Sequence, residues 1–302
     1  MVERTEPGHV SVLLKEAIEF LAVQRGGTYI DATVGLGGHS YEIARRLGAR
    51  GHLIGLDKDP NALEIARRRL QPPPQGEWPQ VSLLQGSFAE IGQRVEAASA
   101  DGLLADLGVS SLQLQEAARG FSFQAEGALD MRMDPQGERT ADQVVNRLDE
   151  RTLADVIYEF GEERRSRRIA RAIVRARPVT TTGQLARIVA AAAPAMKSER
   201  IHPATRTFQA LRIYVNSELS EIDALLGIAP HLLQPGGRLV VISFHSLEDR
   251  RVKDALREGA RQGIYEVLTR KPVTADAEET DRNPRARSAK LRAAERKAAD
   301  RV

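Results

Sequence analysis

The sequence predicts an α/β fold, a doubly wound and mostly parallel sheet of the nucleotide-binding kind, with a helical insertion after the fourth strand. Three observations predict it. The β-prone run Thr28-Tyr29-Ile30-Asp31-Ala32-Thr33 leads directly into the glycine-rich Val34-Gly35-Leu36-Gly37-Gly38 and then into a helical pattern. Strand-like and helix-like segments alternate roughly every 20–30 residues as far as Leu107, the rhythm of βαβ units. From Glu116 to Thr205 that rhythm stops, and strand-like sequence resumes only at Arg238–Phe244.

Each element has its own signal. Val12, Leu13, Ala17, Ile18 and Leu21 recur at helical spacing, which predicts an amphipathic helix over 10–23. After the glycine loop, Ile43, Ala44 and Leu47 form the apolar stripe of a second helix. His52–Leu56 reads as a buried strand closed by Asp57, and Asp59-Pro60 has the form of an N-cap followed by an N1 proline. Leu63, Ala66 and Leu70 then give a helix its inner face. Four prolines and one glycine in 71–79 mark a surface loop before a third strand, Val81–Leu84, and a fourth at Gly102–Leu107. The next 90 or so residues show helical patterns at Leu153–Tyr158, Ile169–Val174 and Leu185–Ala192, so 116–205 reads as an inserted helical domain. The turn Gln234-Pro235-Gly236-Gly237 feeds the fifth strand, and Tyr265–Thr269 and Ser288–Ala293 are two closing strands joined by a polar loop.

Composition narrows the function classes. At 302 residues the chain exceeds one typical domain, and 42% hydrophobic residues can fill a core. No apolar run is long enough to cross a bilayer. The start MVERTEPGHV is charged and lacks the apolar stretch of a signal peptide, so a cytoplasmic protein is expected. Cysteine is absent, which excludes disulfides, thiolate zinc sites and a cysteine nucleophile. No metal is expected. The net charge of +3 says little, but its distribution says more. Seven arginines and no acid lie between Arg164 and Arg177, and seven cations with two acids between Arg285 and Arg301. Each cluster alone is equally a solvated helix face; the two together lean toward a phosphate-rich partner.

The strand–glycine loop–helix unit is a nucleotide site in outline, because glycines admit a ligand close to the backbone and the helix start offers free N–H groups. Asp57, twenty residues after Gly37, stands where a carboxylate accepts both ribose hydroxyls. The same pattern also serves dinucleotide enzymes, and it can be a tight turn with a helix cap. Against a dinucleotide, the third glycine of G-x-G-x-x-G would fall at Ser40, and a Pro-Gly-Gly turn feeds a late strand. Asp106 ends the fourth strand in Leu103-Leu104-Ala105-Asp106-Leu107-Gly108-Val109-Ser110-Ser111, at the carboxyl edge where such sheets hold their ligands. It is a catalytic candidate or a loop cap. His245, in Ser243-Phe244-His245-Ser246, is likewise a proton acceptor or the cap of the next helix.

The run LADLGVSSLQL (104–114) resembles the bacterial small-subunit ribosomal RNA cytosine-N4 methyltransferases, the MraW-type family. So do HVSVLLKEAIEFL (9–21), YIDATVGLGGHS (29–40), GLDKDPNAL (55–63), RGFSF (119–123), LDMRMDP (129–135), FGEERRSRRIARAIV (160–174), HPATRTFQALRIYVNSEL (202–219), PGGRLVVISFHSLEDRRVK (235–253) and NPRARSAKLRAAER (283–296), which together extend over nearly the whole chain. The resemblance implies a Rossmann-like class I methyltransferase sheet from 1–115 and 206–302, with 116–205 as an inserted helical substrate-recognition domain. It implies S-adenosylmethionine as cofactor, and as substrate the N4 of cytidine 1402 of 16S rRNA, in the decoding centre of the 30S subunit. Carried onto this chain, the cofactor contacts are Gly37, Gly38 and His39 in the loop, Asp57 at the ribose, Phe88 on the adenine, and Asp106 with Gln113 completing the set.

Amino-group methyltransferases commonly place an acid or amide, two prolines and an aromatic at the acceptor site; here the residues are Asp106-Leu107-Gly108-Val109. The stacking aromatic is missing, so the base must be held by another group, Phe244 or Phe123. Carbon-5 methylation of cytosine, which uses a cysteine adduct, is excluded. N6-adenine or ribose 2′-O transfer, an NAD-dependent oxidoreductase and a non-catalytic RNA-binding assembly factor are the alternatives. For the RNA, Arg164, Arg168, Arg171 and Arg175 are spaced by four, three and four, one stripe if helical, with Ile169, Ala172, Ile173 and Ala176 opposite.

Overall fold

The computed structural model describes residues 11–194 and 201–298. The first ten residues, where the sequence predicts the first helix to begin, and Arg301 of the second basic cluster lie outside them. The chain divides into two compact units, 1–108 with 219–302, and 109–218.

In the first unit the elements run α1 (Leu14–Leu21), β1 (Thr28–Asp31), α2 (Gly38–Leu47), β2 (His52–Asp57), α3 (Pro60–Arg69), β3 (Gln80–Gln85) and β4 (Ala100–Asp106). Helix α1 is shorter than its apolar pattern because Leu13 and Ala22 at its two ends are both left-handed, with φ of 50° and 48°. Asp59 caps α3 as its sequence predicts, its Oδ1 accepting from the Asn61 N–H at 3.0 Å.

The second unit holds α4 (Ser111–Gln115), α5 (Ala141–Arg147), α6 (Glu150–Gly161), α7 (Ser166–Arg175), α8 (Thr182–Ala192) and α9 (Ala204–Asn216). Its core is built from Leu153 and Ile157 of α6, Ile169 and Ile173 of α7, Leu185 and Val189 of α8, and Phe208 and Leu211 of α9. The unit is wider than the 116–205 span read from the sequence, because α9 packs on α6 and so extends it past Thr205. A long loop before α5 is pinned from within the unit. Asn216 accepts from Met133 N at 2.7 Å and donates to Met131 O at 2.7 Å, while Arg119 donates to the carbonyls of Arg132 and Met133.

The chain returns to the first unit through α10 (Glu218–Leu232), then β5 (Leu233–Ser243), α11 (Ser246–Arg261), β6 (Tyr265–Val267), α12 (Ala277–Arg282) and β7 (Lys290–Arg296). The sequence pattern gave no sign of α10, whose apolar residues are not confined to one stripe, nor of α12 within the polar loop. The Gln234–Gly237 turn lies inside the bounds of β5: Leu233 pairs with Ala100 and Arg238 with Gly102, so the four turn residues bulge from the ladder.

The seven strands lie in the order β3-β2-β1-β4-β5-β7-β6, parallel except for β7, which is antiparallel to both neighbours. The order reverses at β1 and β4, as a doubly wound sheet requires, and the antiparallel end is that of a Rossmann-like class I methyltransferase. Leu53, Leu104, Val240 and Leu291 turn to one face with α1, α2 and α3. Neighbours in the alternation turn to the other, where Arg292 of β7 meets Asp249 of α11 at 2.7 Å. Among the described residues no helix is long and apolar enough to cross a membrane.

Candidate active site at the carboxyl ends of the strands

Three adjacent parallel strands, β2, β1 and β4, each end in an aspartate: Asp57, Asp31 and Asp106. Parallel pairing alone puts these carboxylates in one row along the carboxyl edge. The glycine loop after β1 runs beside it. Gly37 caps α2 with φ at 79°, a left-handed conformation that favours glycine, and a Cβ there would sit 3.4 Å from Ala66 of α3. A Cβ on Gly38 would overlap the Ser11 hydroxyl at 1.9 Å. Gly37 is therefore required by its backbone conformation, and Gly38 by the close approach of Ser11. At Gly35 a Cβ would meet only the Thr33 carbonyl, at 4.0 Å, and its N–H donates to Asp57 Oδ2 at 2.7 Å.

Asp57 also accepts from the Asp59 N–H, at 2.9 Å on Oδ1. Burial pushes its carboxyl up to about 6 against those hydrogen bonds. Each oxygen keeps lone-pair capacity beyond its one backbone donor, so the residue fits two ribose hydroxyls. Phe88 opens a short 3₁₀ turn, Phe88–Gln93, three residues beyond Gln85, the strand partner of Asp57. It is half-buried at the same edge, as an adenine neighbour must be.

Asp31 was not singled out from the sequence as a site residue. It is 1% exposed, accepts from Ser40 Oγ at 2.6 Å and from Thr33 N at 3.1 Å, and is pushed up to about 6, first by burial. An acid closing the strand before a glycine loop was the available signal.

Asp106 is the most perturbed of the three. Burial, then the charge of Asp31, pushes its carboxyl up to about 8; Arg285 opposes this and Glu248 adds to it. Its Oδ1 is buried and has no hydrogen-bond partner among the described residues. Its Oδ2 lies 3.6 Å from Nδ1 of His39. The other ring nitrogen of His39, Nε2, is 3.0 Å from the Val12 carbonyl, which can only accept, so Nε2 carries a hydrogen. In neutral His39 the Nδ1 facing Asp106 is then a lone pair. The His39 side chain is thus buried structure behind Asp106, while its backbone belongs to the loop. Arg285 has no local signature; a 3₁₀ turn, Pro284–Ser288, carries it, and burial draws its guanidinium down while Asp106 holds it up.

His245 is the N-cap of α11. Its Nδ1 accepts from Glu248 N at 3.4 Å, its Nε2 lies 3.0 Å from Glu248 Oε1, and Glu248 Oε2 accepts from Phe244 N at 2.7 Å. The helix-cap reading of His245 is realised here; with Nδ1 accepting, Nε2 of the neutral ring carries the hydrogen, so a proton-accepting role would have to use Nδ1 and give up the cap. Phe244, immediately before it, lies 3.6 Å from the point where Gly108 would carry a Cβ, two residues past Asp106. Phe123 belongs to the second unit and packs there on His202 and Phe208, with centroids at 4.7 and 4.9 Å. Of the two aromatics, Phe244 is the one beside Asp106 within its own unit.

The remaining candidates lie in the second unit. Gln113 is buried and closes a capping box with Ser110 at the start of α4. Arg164, Arg168, Arg171 and Arg175 are all exposed. Arg164, however, lies in the turn before α7, so only the other three share a helical face. Ile169, Ala170 and Ile173 face inward, whereas Ala172 and Ala176 are half-buried. Arg171 pairs with Glu150 at 3.2 Å, and the buried Glu163 pairs with Arg165, outside the stripe.

Chemically, the row of carboxylates favours a cation at the carboxyl edge and offers acceptors to an amine. Such a site, with a ribose acceptor at one end and an unpartnered oxygen at the other, fits S-adenosylmethionine. Comparison with known proteins agrees. The profile of the MraW methylase family matches residues 6–297. The chain is 68% identical over 294 residues to the ribosomal RNA small subunit methyltransferase H of Koribacter versatilis, covering 96% of this chain and 94% of that one. The protein of the same name from Acidobacterium capsulatum is 70% identical over 292 residues, covering 96% and 98%. That from Sorangium cellulosum is 51% identical over 294 residues, covering 95% and 90%.

Proposed function

Because the chain belongs to the MraW methylase family, we propose that it methylates the exocyclic N4 of a cytidine, position 1402, in the decoding centre of 16S rRNA. It is a ribosomal RNA methyltransferase of the small subunit, acting in the cytoplasm on the 16S rRNA of the 30S particle. S-adenosylmethionine is its cofactor and supplies an electrophilic methyl group on a sulfonium. Asp57 binds the ribose, Phe88 packs on the adenine, and the backbone at Gly37, Gly38 and His39 lines the methionine side.

The observation that carries this reading is the buried, unpartnered Oδ1 of Asp106 at the end of β4. The N4 of cytosine is a poor nucleophile because its lone pair is delocalised into the ring. An acceptor aimed at its N–H stabilises the pyramidal nitrogen that attacks, and so acts mainly in the transition state. A cation bound along the row favours ionised Asp106, the form that accepts. Phe244 holds the base, and His245 takes the proton shed after transfer on Nδ1, giving up its bond to the Glu248 N–H. The second unit grips the RNA backbone, with Arg168, Arg171 and Arg175 exposed on one face of α7 and Arg164 exposed in the turn before it.

Mass spectrometry of digested 16S rRNA tests this. A strain lacking the gene should lose the N4-methyl group at cytidine 1402 and regain it on complementation. Loss of an N6-methyladenine or a 2′-O-methyl group instead would overturn the base assignment.

A further inference from the structure

One buried acid beside Asp106 has no part in the steps above. Glu248, the third residue of α11, is 0% exposed. Its Oε2 accepts from the backbone N–H groups of Phe244, at 2.7 Å, and His245, at 3.3 Å, and so fixes the stretch that leads from β5 into the helix. A capping box needs no more than that, and glutamine serves in it as well as glutamate. The negative charge is therefore not required by the cap, and a buried charge is costly unless a partner offsets it.

The His245 ring is placed to be that partner. Its Nε2 is buried and lies 3.0 Å from Glu248 Oε1, the one carboxylate within 4 Å of the ring among the described residues. The pair is off the line of a hydrogen bond, so the carboxylate acts on the ring through charge and through which nitrogen carries the hydrogen. Nδ1 accepts from the Glu248 N–H at 3.4 Å, which leaves the hydrogen of the neutral ring on Nε2, on the side of the carboxylate.

We propose that Glu248 is a positioning residue for methyl transfer: it holds His245 in the Nε2–H form and stabilises the imidazolium made when Nδ1 takes the proton. In that step the N4 lone pair bonds the methyl carbon, the sulfur keeps the S–C electron pair as a thioether, and an N4 proton passes to Nδ1. The ring then carries a hydrogen on both nitrogens, with Glu248 Oε1 3.0 Å from Nε2. Acid–imidazole pairs work in this way where the acid fixes the tautomer and is not itself protonated. The part in turnover rests on the reading of His245 as proton acceptor; the tautomer does not.

Glu248→Gln tests it. The two backbone N–H groups at Oε2 can only donate, so they hold the amide oxygen there and keep the fold of the cap. The amide NH2 then stands at the Oε1 position and donates to Nε2, which moves the ring hydrogen to Nδ1. Two-bond nitrogen–proton NMR correlations of isotope-labelled histidines should show His245 as Nε2–H in the wild type and Nδ1–H in Glu248→Gln, its signals identified by their loss in His245→Asn. The single-turnover rate of Glu248→Gln should fall about 100-fold with cofactor and RNA affinity unchanged, and the double variant should be no slower than His245→Asn. Glu248 raises the carboxyl of Asp106, so removing its charge eases ionisation there, and a slower reaction cannot come through Asp106. An Nδ1–H ring in the wild type, an unchanged tautomer in the folded variant, or losses that multiply in the double variant would overturn the proposal. Full turnover by His245→Asn would instead overturn the reading of His245, and with it the part of Glu248 in turnover.

Discussion

Asp57 is the residue whose removal isolates cofactor binding. Its two oxygens hold the Gly35 and Asp59 N–H groups at 2.7 and 2.9 Å, so an alanine would leave two backbone donors unpaired and relax the loop as well as the ribose contact. Asp57→Asn is the cleaner perturbation. The amide oxygen keeps one of those donors, the shape is retained, and the charge is lost. Hydrogen bonds to a charged group contribute about 1.5–3 kcal/mol, so affinity for S-adenosylhomocysteine should fall roughly 10- to 150-fold. Isothermal titration above pH 7 is the assay, since the carboxyl sits at about 6 and must be ionised in the wild type. A melting curve on the same samples verifies the fold. A folded Asp57→Asn protein that binds with wild-type affinity would refute the placement of the ribose at β2.

Other perturbations separate the remaining roles. Asp31, Asp57 and Asp106 are raised from 3.8 to about 6, 6 and 8, so the folded protein holds their protons more tightly than the unfolded chain. The stability these three carboxyls contribute to the cofactor-free protein is therefore full near pH 4 and is lost as pH rises toward 8. Asp106→Asn should flatten the upper part of that fall, and melting curves between pH 4 and 9 that show no flattening would contradict the assignment. His245→Asn keeps an N-cap residue, so melting temperature should hold while turnover drops by about 100-fold, the low end for general base catalysis. Full turnover would leave capping as the histidine's whole role. Changing Arg168 and Arg175 to glutamine should lower the salt slope of RNA binding by about one unit per lost phosphate contact and leave cofactor affinity alone. A lower melting temperature with an unchanged slope would make the stripe structural.

The parts of the fold legible in the sequence were those with local chemistry. Asp59-Pro60 stops and starts chain by its own hydrogen bond, and the apolar runs of β1, β2, β4 and β5 are buried on both faces. Helix α10 was not legible because its apolar residues follow no single stripe. Arg164 fell off its helix because Glu162, left-handed at φ 49°, ends α6 and forces a turn before α7 can start. The site divides the same way. Asp57 and Asp106 close strands and announce themselves, whereas Arg285 reaches Asp106 only through tertiary packing. The hydrogen on His39 Nε2 follows from a carbonyl 27 residues away in sequence, which no local pattern encodes.

The central claim is that Asp106 accepts from the attacking amine, and single-turnover methyl transfer by Asp106→Asn tests it most directly. Measured with saturating cofactor on small subunits, the rate should fall about 100-fold or more, as when one preorganised partner of a developing charge is removed. Affinity for the RNA should change little. A variant that binds both ligands and transfers the methyl group at close to the wild-type rate would contradict the account.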